Sequence, residues 1–316
     1  MNRRDAIQRR RGLTANQRFG IMGGADMDVP TGPKGERMSP TRTLRIGHSP
    51  DADDAFMFYA LAQGKVEVDG YQLAHVVQDI ETLNERALAG ELEATAISAA
   101  AYPQVADRYR IMSSGSSFGR GYGPIVVARE GKGLGGLPGA RVAIPGTLTT
   151  AYLLLRIYAS GFEAVKMPFD QIVEAVLAGQ TDAGLVIHEG QVTYAELGLA
   201  KILDLGELWQ RETSLPLPLG IDVVRRDVGE KAAKSIARAL RESIQYALRH
   251  EDEALAYAVR FGRGIDIEVC RKFVRMYVNE DTLDMGQEGR LALAALYEKA
   301  HARGLISVVP PLDVLD

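Results

Sequence analysis

A chain of 316 residues with 46% hydrophobic and 25% charged side chains has the balance of an ordinary globular protein, and at roughly 150 residues per domain it makes one large domain or two medium ones. No apolar run reaches the ~18 residues of a membrane-spanning helix, and the single Cys270 excludes an internal disulfide framework and a cysteine-built metal cluster, which fits a reducing compartment. Residues 1–42 carry nine Lys and Arg against four Asp and Glu, a net of +5, which leaves −9 on the other 274 residues of a chain whose total is −4; so acidic a body argues against a nucleic-acid partner.

Within residues 1–42, Arg9-Arg10-Arg11 leads into Gly12-Leu13-Thr14 and polar residues, not into an apolar h-region, so no secretory signal is expected. Asp26, Asp28 and Glu36 weigh against a transit peptide, which is acid-poor. The expectation is a disordered basic extension over 1–42, with Met38 as an alternative start just ahead of the first strand.

From Thr43 onward, short aliphatic runs alternate with helical patterns, which predicts a mainly parallel sheet flanked by helices. Strands are predicted at 44–47, 73–77, 94–97 and 124–129, and helices at 56–62 and 80–89, the latter with Asp79 as N-cap. A second set follows: strands at 142–144 and 184–187, helices at 150–158 and 172–178. Beyond Arg226 the chain reads as helix, with Ile236, Leu240, Ile244 and Leu248 recurring every four residues on one face. Further helices are predicted at 252–261, 267–278 and 287–303.

One internal echo points to the architecture. Ala87-Leu88-Ala89-Gly90-Glu91-Leu92-Glu93-Ala94 recurs in character as Val176-Leu177-Ala178-Gly179-Gln180-Thr181-Asp182-Ala183, 89 residues later. Each is a helix end, a glycine in the C′ position, an acid and then a buried strand. Two such units predict a two-lobed α/β protein with a ligand cleft between lobes. Residues 43–123 plus 225–316 would form lobe I and 130–215 lobe II, with 124–129 and 216–224 as hinge crossings. Ligands of open α/β sheets sit beyond the carboxyl ends of strands, where Ser49, Ser98, Thr149-Thr150 and His188 are expected.

The chemistry-bearing candidates each have a plainer reading. Asp51-Ala52-Asp53-Asp54 has the oxygens for a hard cation but lacks the glycine and distal Glu of a calcium loop, and acids opening a helix account for it. The glycines of 119–123 and 131–136 do not sit between a strand and a helix with phosphate-loop spacing, so connections near the hinge are expected there. Thr147, Thr149 and Thr150 precede an apolar helix and suit either an anion site at its N-terminus or simple capping. His188 follows an apolar strand, where an imidazole is either a base at the mouth of the cleft or a packed ring. His48 is the second candidate; His75, His250 and His301 lack convergent partners in the pattern.

Ser49-Pro50 with Asp54 and Phe56 resembles the opening of the periplasmic-binding-protein-like enzymes of the futalosine route to menaquinone, and most closely the 1,4-dihydroxy-6-naphthoate synthase family. The similar segments continue through Gln78-Asp79-Ile80-Glu81-Thr82-Leu83-Asn84, Gly119-Arg120-Gly121, Gly123-Pro124, Pro145-Gly146, Thr149-Thr150-Ala151-Tyr152, Ile187-His188-Glu189, Leu215-Pro216-Leu217-Pro218-Leu219-Gly220 and Tyr277-Val278-Asn279. The resemblance implies a two-lobed periplasmic-binding-protein-like fold of type II, and a cytoplasmic carbon–carbon lyase that converts cyclic dehypoxanthinyl futalosine to 1,4-dihydroxy-6-naphthoate. It implies His188 as general base, substrate contacts at Ala96-Ile97-Ser98 and Thr150-Ala151, Asp79 and Asn84 beside them, and neither metal nor organic cofactor. Two departures bear on the substrate, an organic acid: Ala96 stands where the family often has Lys, and Asp53-Asp54-Ala55-Phe56 replaces the usual Asn-Asp-Thr-Phe. The alternatives are a solute-binding protein for a small organic anion, which would need export, and a sibling enzyme of the chorismate-dehydratase type.

Overall fold

The computed structural model describes residues 42–130, 137–188, 190–262 and 264–316, all within one unit, Pro40–Asp316. The basic extension up to residue 41, the glycine-rich stretch 131–136 and Glu189 lie outside the described residues. Lobe I opens with β1 (Arg42–His48), α1 (Ala52–Met57), α2 (Tyr59–Ala62), β2 (Tyr71–Val77), α3 (Ile80–Leu88) and β3 (Ala94–Ser98). β4 (Tyr109–Met112) and β5 (Ser117–Gly119) follow. Lobe II contains β6 (Ile125–Arg129), β7 (Arg141–Ile144), α4 (Thr150–Tyr158), β8 (Glu163–Lys166), α5 (Ile172–Leu177), β9 (Ala183–Val186), α6 (Gly190–Thr193), β10 (Leu199–Asp204) and α7 (Leu205–Thr213). The chain returns through β11 (Leu217–Arg225) to α8 (Glu230–Arg249), α9 (Glu251–Ala258), α10 (Ile267–Tyr277), α11 (Glu280–Leu283), α12 (Gly286–Ala302) and β12 (Val314–Leu315).

Two sheets result. The first has the order β12-β4-β11-β3-β1-β2 with β5 also on β11, and the second β10-β6-β9-β7-β8. Each has a parallel centre, with β1 between β2 and β3, and β7 between β8 and β9. The remaining pairings are largely antiparallel, so the sheets are mixed rather than mainly parallel. The reason is the crossing itself. β6 and β11 are the first strands after each crossing, and each enters its sheet antiparallel to the strands it joins.

The segments expected as hinge crossings are therefore strands of the sheets. Ile125–Arg129 pairs with β9 and β10, and Leu217–Arg225 with β3, β4 and β5. Their apolar side chains leave water by packing into the lobes, which moves the crossings to the strands' N-terminal ends. The return crossing is anchored by Trp209, which is fully buried and donates its indole N–H to the carbonyls of Leu215, at 3.0 Å, and Pro216, at 3.1 Å.

The internal echo has a physical basis. In α3 the Gly90 N–H reaches the Ala87 carbonyl and the Glu91 N–H that of Arg86; in α5 the Gly179 N–H reaches Val176 and the Gln180 N–H Ala175. Both are Schellman endings, which need a left-handed residue at C′, supplied by Gly90 with φ 69° and Gly179 with φ 73°. Each turn feeds a strand buried along its whole length, β3 and β9, whose carboxyl ends face one cleft.

Candidate active site in the interlobe cleft

The cleft is lined from both lobes, mostly by apolar groups with a few polar ones among them, as sites for small organic molecules usually are. Ala96, Ile97, Ser98, Thr150, Ala151 and His188 all line it, with Ser49, Asp53 and Asp54 alongside. Asp79 and Asn84 do not. Asp79 caps α3 by accepting from the Thr82 N–H at 3.1 Å. Fully buried Asn84 works one layer back: it accepts from the Ser98 N–H at 2.8 Å and donates to Ser98 Oγ at 3.0 Å. Because Oγ accepts from Asn84, its own proton remains available to another acceptor. His48 is elsewhere, stacked on Phe58 with ring centres 4.5 Å apart and its Nε2 3.2 Å from His75 Nδ1. Burial, helped by His75, pushes His48 down to about 4, so it is a packed neutral ring.

The three threonines divide their work. Thr149 is the N-cap of α4, accepting from the Tyr152 N–H at 3.2 Å and donating to the Gly146 carbonyl at 2.9 Å. Thr150 ties the lobes together: its hydroxyl donates to the Leu219 carbonyl at 2.7 Å and accepts from the Ala100 N–H at 3.1 Å. Thr147 and Leu148 donate their N–H groups to the Glu81 carboxylate on α3, at 2.8 and 3.1 Å. Lys166 Nζ stands 3.0 Å from Glu81 and 3.0 Å from Glu85. A Cβ at Gly146 would overlap the Glu81 carboxyl, so this latch requires glycine there. What α4 offers the cleft is thus the backbone of its first turn, whose N–H groups have no intrahelical acceptor. Thr150→Val is accordingly expected to lower unfolding stability by about 1–3 kcal/mol while changing substrate affinity less than about threefold. Equal melting temperatures with a weakened dissociation constant would instead make the hydroxyl a ligand.

His188 follows β9 with φ 57°, a left-handed conformation that costs a residue with a Cβ about 1 kcal/mol or more. The strained turn aims the ring across the cleft, where Nε2 lies 3.4 Å from Asp51 Oδ2 and the ring edge meets Phe169 at a 4.9 Å centre distance. Asp51 was expected to open α1. It occupies the N-cap position but makes no capping hydrogen bond, and it is 1% exposed. Its carboxylate instead accepts from Ser49 Oγ at 2.8 Å.

The floor is acidic in composition but less so in charge. Burial, with Asp51 adding to it, raises Asp54 to about 6, against the opposing hydrogen bond from the Ser49 N–H at 2.5 Å. Asp222, on β11 directly across from Ala96, is 1% exposed, and burial together with Asp54 pushes its carboxyl well up. Sequence reasoning passed over Asp222, although an acid inside the apolar run Ile221-Asp222-Val223-Val224 is a signal in itself.

Two lobes on mixed sheets, crossed twice and closed over a cleft at the strand ends, define a periplasmic-binding-protein-like fold. The alkanesulfonate-binding protein of Xanthomonas axonopodis pv. citri shares it, with a TM-score of 0.65 over 87% of this chain and 98% of that one at 13% identity. The family described as menaquinone biosynthesis matches residues 44–302. A 1,4-dihydroxy-6-naphthoate synthase of Thermus thermophilus is 47% identical over 272 residues, covering 86% of this chain and 99% of that one. The crystal structure of a protein from Archaeoglobus fulgidus superposes with a TM-score of 0.81 at 49% identity, covering 85% of this chain and all of the other. This chain belongs to the 1,4-dihydroxy-6-naphthoate synthase family, whose members serve menaquinone biosynthesis. No helix among the described residues is long and apolar enough to cross a membrane.

Proposed function

We propose that the cleft takes cyclic dehypoxanthinyl futalosine and releases 1,4-dihydroxy-6-naphthoate, a carbon–carbon lyase reaction in which His188 is the general base. The observation that carries this reading is the strained His188, aimed from lobe II at a pocket whose opposite wall holds Ser98 and Ala96. Removing a proton beside a carbonyl starts fragmentation of the ring, and aromatisation of the product drives it onward. The first turn of α4 and the Ser98 hydroxyl supply donors for a substrate carboxylate or developing oxyanion. Met57, Ile80, Ile97, Ile187, Leu219 and Ile221 give the cleft an apolar lining that keeps water from the reacting carbon. Burial raises the Asp54 carboxyl toward its neutral form, which lessens the repulsion an anion meets despite Ala96. A biosynthetic step of this kind belongs in the cytoplasm, and the reading needs neither metal nor organic cofactor.

The test is direct. Purified protein incubated with cyclic dehypoxanthinyl futalosine should form the naphthoate by mass spectrometry, with multiple turnovers. Saturable binding without any product would favour a solute-binding protein, and turnover of chorismate instead would favour the sibling dehydratase.

A further inference from the structure

Asp51 sits where a helix cap belongs and does not cap. One carboxylate oxygen, Oδ2, accepts from Ser49 Oγ at 2.8 Å and also faces His188 Nε2 of the opposite lobe at 3.4 Å. That distance is in ion-pair range and longer than a hydrogen bond. Nε2 is itself buried, with no hydrogen bond of its own. The contact therefore gains most once the ring is positively charged, which is the state a base reaches after taking a proton. Around the ring, Asp54 on α1 is the second acid that interacts with it, Phe169 is uncharged, and Gln191 on α6 lines the same cleft.

We infer that Asp51 is the positioning carboxylate of His188. It keeps the proton of the neutral ring on Nε2, presents Nδ1 to the substrate, and stabilises the imidazolium that forms. In the step it supports, a proton leaves the substrate carbon for Nδ1 and the electron pair of the C–H bond stays with the substrate. Asp51 keeps its charge throughout. Because Asp51 belongs to lobe I and His188 to lobe II, the base is complete only where the lobes meet. This inference rests on the reading of His188 as the base.

The experiment compares Asp51→Asn, His188→Asn and the double variant with wild type for kcat and substrate dissociation constant. Asp51→Asn keeps the shape of the side chain and should lower kcat about 10²-fold or more while the dissociation constant moves less than about threefold. The double variant should be no slower than His188→Asn alone, as for groups that act as a unit. A purely structural Asp51 would slow the double variant multiplicatively, and that result overturns the inference. Should His188→Asn turn over at the wild-type rate, it is the reading of the base that fails. A slow His188→Asn beside a fast Asp51→Asn sinks the pairing alone. A further measurement needs no Asp51 variant: imidazole 15N shifts of the wild-type protein, with His188 assigned by its loss in His188→Asn, should show the Nε2–H tautomer, and the Nδ1–H tautomer would refute the inference.

Discussion

Replacing His188 with Asn is expected to slow turnover by about 10²–10⁴-fold, the usual contribution of a positioned general base, while substrate affinity stays within about 1 kcal/mol, the worth of one neutral hydrogen bond. Asn fits the same space and keeps a polar group, and it is among the side chains that best tolerate φ 57°. The substitution therefore removes the proton acceptor without removing the turn. Single-turnover rates and dissociation constants on both proteins separate the outcomes. A wild-type rate in the variant would remove His188 from the chemistry, and weakened binding with no turnover in either protein would describe a receptor.

Asp222→Asn is expected to stabilise the protein at neutral pH and to leave it unchanged in acid. Asp54, raised to about 6, and Asp222, raised well above the ordinary carboxyl value, both favour the protonated form in the folded state. An unfolded carboxyl titrates near ~3.9, so the stability these groups contribute is fully present below about pH 4. It is lost as pH rises through the folded value of about 6 for Asp54 and through a range above pH 4 for Asp222. An amide at Asp222 carries no such dependence, and it relieves Asp54 of a neighbouring acid. The variant should match wild type near pH 4 and gain on it as pH rises, by at most about 1.4 kcal/mol per pH unit. Urea unfolding at intervals from pH 4 to 8 measures this. A difference constant across the series would mean that the Asp222 carboxyl does not titrate with folding.

Much of the architecture was legible because the local signals were strong. The helix predicted at 150–158 is found as α4, with its cap, since an apolar stretch behind a threonine run leaves few alternatives. The paired glycines Gly90 and Gly179 were readable because a left-handed C′ residue is a backbone requirement. β8 escaped notice because an exposed edge strand, Glu163–Lys166, has no apolar pattern to reveal it. The crossings were placed one strand too late because an apolar run looks the same whether it bridges lobes or pairs within one. At the site, the residues at strand ends could be predicted, since topology sets where those ends are. Asp51 could not, because what makes it informative is a contact with a residue 137 positions away in the other lobe. Asn84 was expected in the cleft and lies behind it, a distinction that only the packing of α3 on β3 decides.

The latch at Glu81 also bears on which molecules the cleft accepts. The protein brings an anion of its own to the turn ahead of α4, and that carboxylate already holds the N–H groups of Thr147 and Leu148. Under the proposed reaction, an incoming carboxylate would land further along, at the first turn of the helix, and its distance from the reacting carbon would have to match that landing point. Lys166 balances the charge of Glu81, so the helix end keeps its attraction for a second anion. A molecule with its acid group one bond nearer to or farther from the reacting carbon would bind in the same cleft and present the wrong atom to His188.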